Sequence, residues 1–171
     1  YVIAGSVYSA STSEDALLLK LDREGNQVWQ MTYGGPLYDN GFDVIETAGG
    51  DLVVVGVSVS YGDKGGDVWL FRTDSSGRER WNYTYPMDQS EACTAIIETS
   101  DGEFAICGEQ YDTYYYTTDV LVMMVEPTGE EIWNDTYGDE YDNWGEDIIE
   151  TQDGGLMVVG TSISENGDYQ A

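Results

Sequence analysis

The sequence has no histidine, only two cysteines, and six basic side chains against 33 acidic ones in 171 residues. Each shortage excludes something. Without histidine there is no Ser-His-Asp or Cys-His catalysis and no histidine-ligated zinc. The six bases (Lys20, Arg23, Lys64, Arg72, Arg78, Arg80) leave a formal net charge of −27. Phosphate binding needs clustered Lys and Arg, so nucleic acid is excluded as an expected partner. No apolar run approaches the ~18 residues of a membrane helix, so no membrane span is expected. No segment shows a helical period of apolar residues either.

The bases are also unevenly placed. From Trp81 to Ala171 there are 21 acids and no base at all. Such a stretch repels itself and gains from salt or divalent cations. One reading is a solvated acidic face suited to a salty exterior, the other a site for cations or a basic partner.

What the chain does contain is apolar material, 41% hydrophobic and 13% aromatic, enough to build a core. That material is periodic. Trp29, Trp81 and Trp133 are spaced by 52 residues, as are Gly25, Gly77 and Gly129, and Tyr33, Tyr85 and Tyr137. Asp15, Asp67 and Asp119 keep the same step and are expected to fix a turn in each copy. A repeat of this length is the signature of a repeated supersecondary unit.

Each unit reads as four short strands. The first is Asp43-Val-Ile-Glu-Thr47 and its copies Ala95–Thr99 and Asp147–Thr151. An Asp-Gly type turn follows, with Asp101-Gly102 expected as a two-residue hairpin loop. The second strand is Leu52–Gly56, Phe104–Gly108 and Leu156–Gly160, and the chain begins inside another copy at Tyr1-Val-Ile-Ala-Gly5. The third is Ala16–Leu21, Val68–Thr73 and Val120–Val125. The fourth is Val28–Tyr33, Arg80–Tyr85 and Ile132–Tyr137.

The second and third strands are apolar on consecutive residues, so both of their faces must be covered. Four-stranded antiparallel sheets stacked face to face around an axis do this, which predicts an all-β, β-propeller-type fold. The expected division is 1–38 as a partial blade holding strands two to four, 39–90 and 91–142 as whole blades, and 143–171 as strands one and two of another. Known propellers have about 4–8 blades, and roughly 3.3 are present, so a piece of a longer polypeptide or a ring completed by other chains is expected.

The run Asp67-Val-Trp-Leu-Phe-Arg-Thr-Asp74, Gly77 and Trp81-Asn-Tyr-Thr-Tyr85, with Gly34-Gly35 closing the first copy, resembles propeller repeats common in secreted and cell-surface proteins of bacteria and archaea. The resemblance implies an extracellular or cell-envelope repeat domain; the role expected for it is structural, adhesive or protein-interaction, without enzymatic activity. With about 3.3 blades present, the expected partners are other protein subunits or further blades of the same polypeptide. The segment from Leu21-Asp-Arg-Glu-Gly25 to Trp29, repeated at Trp81 and Trp133, resembles the tryptophan-docking motif of quinoprotein dehydrogenases. There the indole locks neighbouring blades. This chain has one residue fewer between Asp and Gly than that motif, and Cys93 and Cys107 are not adjacent as the quinone site requires. No cofactor is expected. The competing classes are a propeller enzyme, either quinoprotein dehydrogenase-like or a carboxylate-based glycan hydrolase, and a calcium-dependent glycan-binding module.

Four groups of residues are singled out. Asn82-Tyr-Thr84 and Asn134-Asp-Thr136 are glycosylation sequons in one column, on a strand expected at the outer edge of the sheet. Asp139, Asp142 and Asp147 are carboxylates that calcium would suit, against the commoner role of Asp in capping its own turn. Cys93 and Cys107 are expected as two buried thiols. A two-residue turn would set Cys93 opposite Gln110, disfavouring a disulfide unless a bulge intervenes. Finally, Tyr111, Tyr114, Tyr115 and Tyr116 lie in a loop between second and third strands and form a candidate binding rim.

Overall fold

The computed structural model describes residues 1–8, 13–62, 65–87, 90–163 and 169–170. Parts of two of the variable loops, and with them Lys64, lie outside the described residues. Every regular element among the described residues is a strand, and all pairings are antiparallel. The chain divides into two compact units, Tyr1–Pro86 and Met87–Ala171.

The first unit holds two sheets. One is ordered β1 (Val2–Tyr8), β2 (Glu14–Leu21), β3 (Gln27–Tyr33). The other is ordered β4 (Asp39–Glu46), β5 (Leu52–Ser58), β6 (Asp67–Thr73), β7 (Glu79–Tyr85). They pack face to face, β4 lying over β1 and β2. Between them Ala16 and Leu18 meet Leu52, Val54, Trp69 and Phe71, with Val2, Ala4, Trp29, Tyr33 and Val44 at the margin. Trp69 and Phe71 are fully buried and stack with centroids 4.5 Å apart. Burial of such a side chain contributes about 2–3 kcal/mol. Every residue of β5 is buried, as consecutive apolar residues require.

The second unit repeats the plan. Its four-stranded sheet is β8 (Ser90–Glu98), β9 (Phe104–Asp112), β10 (Thr117–Val125) and β11 (Glu131–Tyr137). Its three-stranded sheet is β12 (Asn143–Glu150), β13 (Leu156–Ile163) and β14 (Tyr169–Gln170). Ala95, Ala105, Cys107, Val122 and Ile148 form the core between them.

One irregularity recurs. The first strand of the repeat bulges at Gly41/Asp43, Cys93/Ala95 and Gly145/Asp147. The bulge pushes the carbonyl of Asn40, Ala92 or Trp144 to 1.9–2.1 Å from where a Cβ would stand on Gly56, Gly108 or Gly160. Only glycine fits there, which accounts for that column of the repeat.

The hairpin turns correct the expected register. The Asp101-Gly102 loop is closed by Thr99 and Glu103, so it has three residues, with Gly102 at φ +84°. That is the loop in which a turn is followed by a left-handed glycine. It sets Glu98 opposite Phe104, and the bulge then brings Cys93 opposite Gly108, not Gln110. Both cysteines are buried and no disulfide joins them. The Asp column is corrected as well. Asp15, Asp67 and Asp119 stand inside or at the head of strands β2, β6 and β10, not in turns. Asp15 and Asp119 lie where a Cβ on Gly34 or Gly138 would be, at 2.7 and 1.9 Å, which explains the glycine after the fourth-strand tyrosine. In the first unit Asp39 is wholly buried. It accepts bonds from Ser58 Oγ (2.5 Å), Ser60 Oγ (2.6 Å) and the Gly35 N–H (2.7 Å).

Candidate functional site

The β9–β10 hairpin ends in a turn built by one aspartate. Asp112 Oδ1 accepts the backbone N–H groups of Tyr114 (2.6 Å) and Tyr115 (2.9 Å). The Tyr116 N–H donates to the Asp112 carbonyl at 2.8 Å. Aspartate two residues ahead of a turn does this readily, because its short carboxylate reaches its own backbone. The turn forces Tyr116 to φ +58°, a left-handed conformation that a bulky residue takes only at a cost of about 1 kcal/mol. Tyr114, Tyr115 and Tyr116 are 79%, 72% and 76% exposed, and Tyr111 just below them is 39% exposed. The Tyr114 and Tyr115 rings meet edge to face at 4.8 Å and 87°. Three rings are thus held out in water by a fixed backbone.

Carboxylates stand at the base of this tip. Asp119 heads the buried part of β10, and its Oδ1 is buried without a hydrogen-bond partner. Burial, and then the charges of Asp112, Asp139 and Asp142, push its pKa above the ordinary carboxylate value. Asp142 Oδ1 accepts the Thr118 N–H at 2.8 Å, which ties the β11–β12 loop to β10. Asp139 Oδ1 accepts from the Tyr141 N–H (3.0 Å) and Asn143 Nδ2 (3.3 Å). Asp147 lies apart on β12, exposed, with Oδ1 accepting the Ile148 N–H at 2.9 Å. The structure therefore gathers Asp139 and Asp142 around Asp119 but leaves Asp147 out. Among the described residues no three acidic, cysteine or histidine side chains are arranged to hold a metal ion. Asp112 was not singled out in the sequence, and Asp119 was expected only to fix a turn. An Asp two residues before a run of three tyrosines in a hairpin loop was the available signal.

The other sequence candidates lie elsewhere. Trp29 on β3 packs beside Gly77 of the β6–β7 turn, with Lys20 Nζ 6.0 Å from its ring centroid. Lys20 Nζ donates to the Ser75 carbonyl at 3.0 Å, and the Tyr33 hydroxyl to the Gly77 carbonyl at 2.5 Å. In the first unit this indole therefore lies between one sheet and a turn of the next. Trp81 is half-buried against Tyr83, with centroids 5.5 Å apart. Trp133 is 38% exposed. Asn82 and Asn134 are exposed on β7 and β11, the last strands of their sheets. Each donates its amide to a glutamate three residues back, Glu79 at 2.7 Å and Glu131 at 2.6 Å.

No known protein family matches this chain, and no curated protein is similar to it in sequence. Among solved structures it is similar to a protein of unknown function from Bacteroides caccae, with a TM-score of 0.55 and 14% identity. The match covers 98% of this chain and 57% of that one, so the chain spans little more than half of that protein's length. At that identity the likeness concerns the fold.

Proposed function

We propose that this chain is a β-propeller-type repeat scaffold of an extracellular or cell-envelope protein, non-enzymatic, which engages a protein partner through its tyrosine tip. The observation that carries the reading is the β9–β10 turn, where three tyrosines, each at least 72% exposed, are presented on a backbone held by Asp112. Tyrosine offers large contact area and a hydroxyl at low entropic cost, and a fixed backbone reduces the ordering lost on binding. The carboxylates at its base, in a unit with no basic side chain, favour a partner surface bearing Lys or Arg, which can also sit over the tyrosine faces. The propeller reading is supported by sheets that each take one copy of a 52-residue repeat and stack in pairs within each unit. The outside location is supported by two exposed sequons at equivalent places on edge strands.

A random peptide library displayed on phage, selected on this protein and counter-selected on the Tyr114→Ser/Tyr115→Ser/Tyr116→Ser variant, tests the interaction. Enrichment of peptides rich in Lys, Arg and apolar residues, bound at least tenfold more weakly by the triple variant, is expected. Selected peptides that bind both proteins equally would overturn the tip as the contact.

A further inference from the structure

The fourth strand of the repeat bulges against the third in all three copies, and in two of them the bulge orients an asparagine. β7 pairs with β6 as Arg72↔Trp81 and then Thr73↔Glu79, so Arg80 is the extra residue. β11 does the same beside β10, with Met124↔Trp133, Val125↔Glu131 and Ile132 as the extra residue. In a regular strand, side chains three residues apart point to opposite faces. The bulge cancels that alternation and brings Glu79 to the side of Asn82, and Glu131 to the side of Asn134. The bonds from Nδ2 to Oε1, 2.7 Å at Asn82 and 2.6 Å at Asn134, follow from it.

Both asparagines stand where a large hydrophilic group fits. Asn82 lies opposite Phe71 and Asn134 opposite Met123, two wholly buried side chains. Each Asn is nevertheless exposed, because its strand is the last of its sheet. Asparagine is depleted in strands, so strand propensity does not account for one in mid-strand. Each is followed two residues later by threonine, the acceptor pattern for a glycan, whereas β3 has Gln30 in that column. The edges themselves call for cover. Among the described residues β7 and β11 are each paired on one side alone, and an unpaired edge is a template for a strand of a second copy.

We propose that Asn82 and Asn134 are N-glycosylated and that the two glycans shield the outer edges of β7 and β11. The inference rests on the extracellular location proposed above. In the transfer, Asn Nδ2 attacks C1 of the first sugar of a lipid-phosphate-linked oligosaccharide. The C1–N bond forms, the C1–O bond breaks, the lipid phosphate leaves with the electron pair, and Nδ2 gives up one proton. One N–H stays on Nδ2, available to keep the bond to Glu79 or Glu131.

The test takes the protein from the cells that make it, fractionated into cytosol, envelope and medium. Mass spectrometry then reads the peptides released by a glutamyl endopeptidase. Cleavage after Glu79 and Glu131 isolates Asn82 in Arg80–Glu91 and Asn134 in Ile132–Glu140. Each peptide should be heavier by one glycan. Thr84→Val and Thr136→Val should each remove one, while Thr84→Ser and Thr136→Ser should keep it. Unmodified asparagines in protein from the envelope or medium would overturn the glycosylation and leave the location standing. Protein confined to the cytosol would overturn both, and glycans that survive the valine substitutions would overturn the assigned sites. Two unglycosylated variants, Asn82→Gln/Asn134→Gln and Thr84→Val/Thr136→Val, test the shielding by sedimentation. Each should show at least twice the weight-average mass of the glycosylated protein at equal concentration. The same association state in all three proteins would overturn the shielding of the edges.

Discussion

The two units share one plan and differ in how their charges are balanced and in how much of the inter-sheet core the described residues cover. Both are pairs of antiparallel sheets made from the same 52-residue repeat. In Tyr1–Pro86 the two aromatic residues of β6 complete the inter-sheet core, and Asp51 is clamped by Arg72 (3.0 Å) and Arg80 (2.9 Å). In Met87–Ala171 the same position is a groove, and no base is present to offset the acids. Exposure follows from this. Leu52 and Val54 are wholly buried, whereas their counterparts Leu156 and Val158 are only half-buried. On the opposite face of β13, Met157 and Val159 are 58% exposed, where their counterparts Val53 and Val55 are wholly buried. Identical patterning thus gives different burial, because a strand's core value depends on what lies on each side of it.

That contrast is broken or sharpened by three measurements, largest first. Phe71→Ala should cost about 3–5 kcal/mol, because it empties a closed site, while Leu156→Ala on the groove wall should cost about 1 kcal/mol. Urea unfolding of the two variants checks this, and equal midpoint shifts would mean that the two positions are energetically alike.

The second measurement concerns the tyrosine column. Burial first, and then the charges of Glu79 and Asp74, push Tyr33 from 10.0 up to about 12. The folded state therefore keeps this phenolic proton after the unfolded chain has lost it. Its stabilising contribution is whole below pH 10.0 and is lost as the pH climbs through about 12. Tyr33→Phe should remove the latest-titrating phenolate from the absorbance titration. It should also cost about 1 kcal/mol at neutral pH through the lost bond to the Gly77 carbonyl. Tyr137→Phe, on the open groove, should leave stability unchanged.

The smallest effect expected is that of Asp119→Asn. The raised pKa means that the folded state binds this proton more tightly than the unfolded state does. Stability therefore falls as the pH rises through the carboxylate range, and the penalty is complete at neutral pH. The amide removes it, so the melting temperature at pH 7 should rise by about 2 °C and the difference should vanish near pH 3. A melting temperature that falls at pH 7 would show instead that the ionised carboxylate holds the β11–β12 loop in place.

Much of the strand layout was legible because the repeat aligns chemically equivalent residues, and apolar runs mark strands wherever they occur. The loop at Thr99–Glu103 was not, since a two-residue and a three-residue Asp-Gly loop share their residue types and differ only in backbone geometry. That one residue, with the bulge at Cys93/Ala95, moved Cys93 from Gln110 to Gly108. In the candidate site, the exposed tyrosines could be read from the loop's composition. Asp112 as the residue that fixes them could not, because its role is a set of backbone bonds that exist only once the hairpin closes.

The amino-acid sequence by itself determined the period, the all-β character, the charge asymmetry and the absence of histidine chemistry, because these depend on residue type and spacing alone. Tertiary structure decided the register, the glycine column opposite the bulges, and the gathering of Asp119 with Asp139 and Asp142. Local pattern specifies which face of a strand is apolar. Only packing determines whether another chain segment covers it.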